Sequence, residues 1–147
     1  MSRPALTVVD IAHFLHTTIQ PIPFFDCQVP AGFPSPADDY LEQTLDLNEL
    51  LIEHPVATFY VRVEGDSMEG AGIHSGDILV VDRALEPDHN RIIVALLDGA
   101  FTVKRMLRRQ GRVFLAPDNP TLDILPVDES MNFEVWGVVT YAIHPVK

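Results

Sequence analysis

From Pro55 onward the chain is a succession of short runs rich in β-branched and aromatic residues, separated by turn signals. The runs are Val56–Val63, Ile78–Asp82, Arg91–Leu97, Phe101–Arg109, Arg112–Ala116 and Phe133–Ile143. Between them lie Gly70-Ala71-Gly72, Ser75-Gly76-Asp77, Asp98-Gly99, Gln110-Gly111 and Asp118-Asn119-Pro120. Residues of this kind fit a pleated, half-buried surface, and glycine, asparagine and aspartate supply the backbone angles of tight turns. Asp98-Gly99 between two apolar runs is a strong hairpin signal. Many strands with little helix between them predict a mainly β, twisted and mostly antiparallel body.

The residues before Pro55 read differently. Residues 1–31 hold four prolines, no glycine and a net charge of −1. A segment this short rarely folds alone, so it is expected to be an arm, or a strand added to a larger body. The stretch Pro30-Ala31-Gly32-Phe33-Pro34-Ser35-Pro36 disfavours helix and central strand, and should run extended or as a turn. Asp46 followed by Glu49 resembles a capping box, and Leu47, Leu50 and Leu51 share a helical face. A short helix over 46–54 is therefore expected, ending at Pro55. The acidic run from Asp38 to Glu53 reads as a solvated face.

Charge and composition narrow the function classes. The 147 residues carry 10 Lys+Arg against 21 Asp+Glu, a formal net charge of −11. Such a chain repels polyphosphate, so unaided, sequence-specific DNA binding is not expected. Apolar residues make up 47%, enough for a core. Cys27 is the single cysteine, which excludes an internal disulfide and suits a reducing compartment. No run approaches the roughly 18 apolar residues of a membrane span, and the N-terminus does not read as a signal peptide. The expectation is a cytoplasmic protein that uses no membrane.

Three elements could carry chemistry. Gly65-Asp66-Ser67-Met68 lies between a strand end and a glycine turn, where a serine can meet a cleft and nearby backbone N–H groups can steady an oxyanion. Ser67 and Met68 are the oxyanion candidates. Read alone, the same residues make a self-capped turn. Lys104 sits between Thr102 and Met106 on one face of a run suited to burial. Desolvation there would lower its pKa from about 10.4 towards a value at which a neutral amine can take a serine proton; an ordinary strand lysine would snorkel to water. Ala31-Gly32 joins two small residues in a stretch held extended, where a narrow cleft could take it, or it is an inert linker.

Taken together these residues resemble the LexA-like family of self-cleaving Ser-Lys peptidases, and within it the UmuD-type branch of mutagenesis proteins. The resemblance is carried by residues 31–38, the stretch Asp46–Ile52, Gly65-Asp66-Ser67-Met68, residues 76–82, residues 98–104 and Val135-Trp136-Gly137-Val138-Val139. The separation of Ser67 and Lys104, 37 residues, is also similar to the family's. It implies a LexA- and signal-peptidase-like β body with a short helix and an extended N-terminal arm. It implies Ser67 as nucleophile, Lys104 as general base and Ala31-Gly32 as the bond cut, dividing the chain into an arm, 1–31, and a peptidase-like domain, 32–147. It further implies a homodimer, stimulation by a RecA–single-stranded-DNA filament after DNA damage, and service as accessory subunit to a UmuC-like Y-family polymerase in error-prone translesion synthesis.

Other readings are open at this stage. A LexA-like repressor fragment would need a DNA-reading domain ahead of the cut, and a signal peptidase would need a membrane anchor. A non-catalytic interaction module remains if Ser67 and Lys104 do not meet. His13 and His16 are spaced to share a metal but lack a completing ligand nearby, and nothing places Cys27 beside a histidine. No cofactor or metal is expected. Arg105, Arg108, Arg109 and Arg112 read as the solvated edge of a hairpin around Gly111, and Trp136 as core.

Overall fold

A computed structural model describes residues 6–13, 21–26 and 41–147. The chain divides into two compact units, one of Met1–Phe14 with His54–Lys147 and one of Leu15–Glu53.

In the larger unit the β-rich runs form one antiparallel sheet. Its strands are β1 (Thr7–His13), β4 (Thr58–Glu64), β5 (Ile78–Asp82), β6 (Ile92–Leu97), β7 (Ala100–Arg109), β8 (Arg112–Ala116), β9 (Leu125–Pro126) and β10 (Phe133–Ile143). The order is β1-β4-β5-β10-β6-β7-β8-β9, and β1 pairs with β7 as well. That second pairing closes β1, β4, β5, β10, β6 and β7 into a ring. It is made at one place, Thr7 opposite Thr102, while Thr7 also faces Glu64 of β4. The first residue of β1 thus lies in the seam between the end of β4 and the start of β7.

Alternation explains the core. Along β4, Phe59, Val61 and Val63 are buried while Arg62 and Glu64 are exposed. These three pack with Leu6, Met68, Ile73, Leu79, Val81, Val94 and Val103, and a second cluster joins Ile93, Ala95, Met106, Leu115 and Val138. Leu6, just ahead of β1, is 1% exposed, and burial of such a side chain is worth about 1.5–3 kcal/mol. Trp136 packs edge-on against Phe59 and Phe101 and lies half-buried beside the first cluster, as its apolar surroundings suggest.

The two-residue turns follow their chemistry. Asp98 and Gly99 have φ of 48° and 83°, and Gln110 and Gly111 have 51° and 74°. Positive φ at both positions is what a tight hairpin between right-twisted strands requires. At Gly137 the reason for glycine is contact: a Cβ there would lie 2.6 Å from Val81 Cγ1, because β10 runs tight against β5.

The smaller unit pairs β2 (Ile22–Asp26) antiparallel with β3 (Leu41–Leu45) and adds α1 (Leu47–Leu51). The helix is shorter than the expected 46–54. Asp46 does cap it, but by accepting from Asn48 N–H at 3.0 Å. Ile52 is already extended, and a residue before proline disfavours helical geometry at His54. Leu47 and Leu50 are exposed, and none of the helix residues is buried. The run from Val56 also begins later as strand, because Pro55–Ala57 forms one 3-10 turn.

Candidate active site

The seam between β4 and β7 collects the residues of interest. β4 ends at Glu64, and Gly65 turns the backbone with φ of 112°. The segment after it closes on itself: Glu69 N–H donates to Asp66 O, Ala71 N–H to Met68 O and Gly72 N–H to Glu69 O. Ser67 and Met68 stand ahead of this ladder, so their N–H groups are not spent in it, as an oxyanion site needs.

Lys104 approaches from β7, two residues beyond Thr102. Its Nζ donates to Ser67 Oγ at 3.3 Å and to Val103 O at 3.1 Å. Burial pushes the amine below the ordinary lysine value of 10.5, because a charged ammonium is disfavoured away from water. Charged, Nζ donates to Oγ; neutral, it has the lone pair that can accept the hydroxyl proton.

Ser67 does not stand at an open cleft. It is fully buried, and Oγ accepts a 2.9 Å hydrogen bond from Leu6 N–H. Leu6 directly precedes β1, so the start of that strand is in contact with the hydroxyl.

A second group of residues holds the serine turn in place. Gly70 N–H donates to Asp118 O at 2.8 Å, Asn119 Nδ2 donates to Asp66 O at 3.2 Å, and Asp118 N–H meets Met68 Sδ at 3.4 Å. A Cβ on Gly70 would lie 2.5 Å from Asp118 O. Asp118 in turn accepts from Arg105, Nε at 3.0 Å and Nη2 at 2.6 Å. Arg105 directly follows Lys104, so one ion pair links the strand of the amine to the turn of the hydroxyl. This corrects the reading of Arg105 as part of a solvated arginine edge: only Arg108, Arg109 and Arg112 are exposed there. The role of Asp118 and Asn119 is hidden in what reads as a turn signal, since Met68 and Asp66, which they contact, lie 50 and 53 residues away.

The structure therefore brings Ser67, Met68 and Lys104 together. Ala31, Gly32, Cys27 and His16 lie outside the described residues, as does the side chain of His13.

Comparison with known proteins identifies relatives of the chain. A family model described as Peptidase S24-like matches residues 23–140. The chain is 46% identical to Protein MucA of Salmonella typhimurium over 131 residues, covering 87% of this chain and 89% of that one. It is 50% identical to Protein ImpA of Escherichia coli over 127 residues, 85% of each chain. The LexA repressor of Paracidovorax citrulli is 37% identical over 111 residues, 76% of this chain but 49% of the repressor.

Proposed function

The chain belongs to the Peptidase S24-like family, and from that membership we propose that it is a UmuD-type self-cleaving serine peptidase that cuts its own Ala31-Gly32 bond. The observation that carries this reading is the 3.3 Å contact between Lys104 Nζ and Ser67 Oγ, with burial lowering the pKa of the amine.

Neutral Lys104 takes the proton of Ser67 as Oγ attacks the Ala31 carbonyl carbon. The N–H groups of Ser67 and Met68 donate to the oxyanion. The ammonium so formed returns its proton to the nitrogen of Gly32, the C–N bond breaks, and residues 1–31 remain as an ester on Ser67. Lys104 then takes a proton from water as the hydroxide attacks the ester carbon, the ammonium returns that proton to Ser67 Oγ as the C–O bond breaks, and the carboxyl group left on Ala31 ionises to solvent. One amine does the work that a histidine and aspartate share in other serine hydrolases. Because the substrate is tethered, no bimolecular encounter is needed.

The remaining parts of the reading rest on the resemblance to the UmuD-type branch. The protein acts in the cytoplasm as a homodimer and is stimulated by a RecA–single-stranded-DNA filament. Residues 32–147 then serve a UmuC-like Y-family polymerase in translesion synthesis. The net charge of −11 supports reaching DNA through a partner. Among the described residues no helix is long and apolar enough to cross a membrane.

The test is to incubate the purified chain with and without an activated RecA filament and weigh the products. Faster appearance of 1–31 and 32–147 with the filament is expected. No effect of the filament on cutting overturns the co-protease part, and products from another bond overturn the cleavage site.

A further inference from the structure

Three observations meet at the start of β1. Leu6 is buried in the core and its N–H donates to Ser67 Oγ. Thr7 pairs with Glu64 on one side and Thr102 on the other, closing the ring across the seam that holds the dyad. Ser67 itself is fully buried. A serine hydroxyl has one proton and two lone pairs. When its proton goes to Lys104, the Leu6 N–H still engages one lone pair and draws charge from the oxygen, and the Leu6 backbone stays within hydrogen-bond distance of the atom that a carbonyl carbon has to reach.

The rest of β1 is held mainly by its backbone pairing with β4. Thr7, Val9, Asp10, Ile11 and Ala12 are exposed, and a bulge interrupts the pairing with β4 between Val8 and Asp10. The strand is pinned by backbone pairing, by Leu6 and by the half-buried Val8 against the first cluster, an edge that can open locally without dismantling the core.

The geometry points to β1 as a built-in occupant of the peptidase groove. The seam between the end of β4 and the start of β7 is a strand-accepting site, and residues 6–13 fill it in the resting protein. Leu6 shields the nucleophile, and Ala31 reaches Ser67 only after the Leu6–Thr7 end has peeled away. Opening of this seam is then the step on which stimulation acts. The inference rests on the functional reading above, because it regulates the same serine. It also means that cutting at Ala31-Gly32 does not by itself free residues 1–31, since the β1–β4 pairing does not pass through that bond.

The test uses the full chain in a Cys27→Ser background. Thr7→Cys with Thr102→Cys places two thiols at paired strand positions, where a disulfide can form. Oxidised, this variant is expected to cut at least about tenfold more slowly than when reduced, because the competent fraction scales the rate. Leu6→Asp removes the anchor and should cut at least about tenfold faster than the parent without any filament. A fluorophosphonate probe should label Ser67 faster in Leu6→Asp and more slowly in the oxidised staple. Equal cutting by the oxidised and reduced staple, with cutting still dependent on Ser67, overturns the inference alone. Cutting that persists in Ser67→Ala overturns the functional reading instead.

Discussion

Leu6 N–H donates to Ser67 Oγ across 2.9 Å, although 61 residues separate them in the chain. The bond joins the N-terminal strand to the residue that most resembles a nucleophile. It couples the chemistry of the serine to the seating of β1, so a change at either end should be felt at the other.

Ser67→Ala removes the acceptor of that bond and leaves a buried N–H unpaired, at a cost of about 1–3 kcal/mol. Amide hydrogen exchange at Leu6 and along β1 should therefore quicken in this variant, while β5 and β10 keep their protection. Unchanged protection at Leu6 would show that the bond does not hold the strand.

The lowered pKa of Lys104 sets the pH dependence. Between the lowered value and 10.5, the unfolded chain holds more protons on Lys104 than the folded chain does, so its contribution to stability rises with pH across that window. The cutting rate should climb about tenfold per pH unit below the lowered value and level off above it, following the neutral amine. Lys104→Met should lose cutting, hold or raise the thermal midpoint at neutral pH, and flatten this share of the pH–stability curve. A rate that still tracks pH in that variant would place the base elsewhere.

Arg105 and Asp118 connect the strand of Lys104 to the turn of Ser67. Arg105→Ala should cost about 1–3 kcal/mol in stability and slow cutting roughly ten- to a hundredfold through misplacement of the dyad. Its pH profile should keep the midpoint of the parent, since the base itself is untouched. A loss of stability with no loss of rate would reduce the pair to a structural role.

Gly137→Ala forces a Cβ to within 2.6 Å of Val81 Cγ1. Overpacking of this kind costs about 1–3 kcal/mol, measurable as a lower denaturant midpoint. An unchanged midpoint would mean that β5 and β10 can spread without penalty.

What the sequence discloses depends on how local the signal is. The strands 78–82, 112–116 and 133–143 are legible to the residue because each β-branched run starts just after a glycine or asparagine turn, and Asp98-Gly99 takes the φ its hairpin needs. The helix is shorter than its pattern predicts: Leu47, Leu50 and Leu51 have the spacing of a buried face and yet none of them is buried. β1 is harder: Val9 and Ile11 are exposed and its partner strand begins 45 residues after it ends, so no periodicity reveals the pairing. Ser67 and Lys104 stand out as candidates from their surroundings but gain their roles only through the family resemblance, since a turn serine and a strand lysine are unremarkable singly. Arg105 and Asp118 have no pattern, because only the fold puts them in reach.

Mass spectrometry of the full chain through an incubation at alkaline pH, beside Ser67→Ala and Lys104→Met, tests the central claim most directly. The wild-type chain should yield two fragments that meet between Ala31 and Gly32, and neither variant should yield them. The same two fragments from Ser67→Ala at a comparable rate would contradict the account.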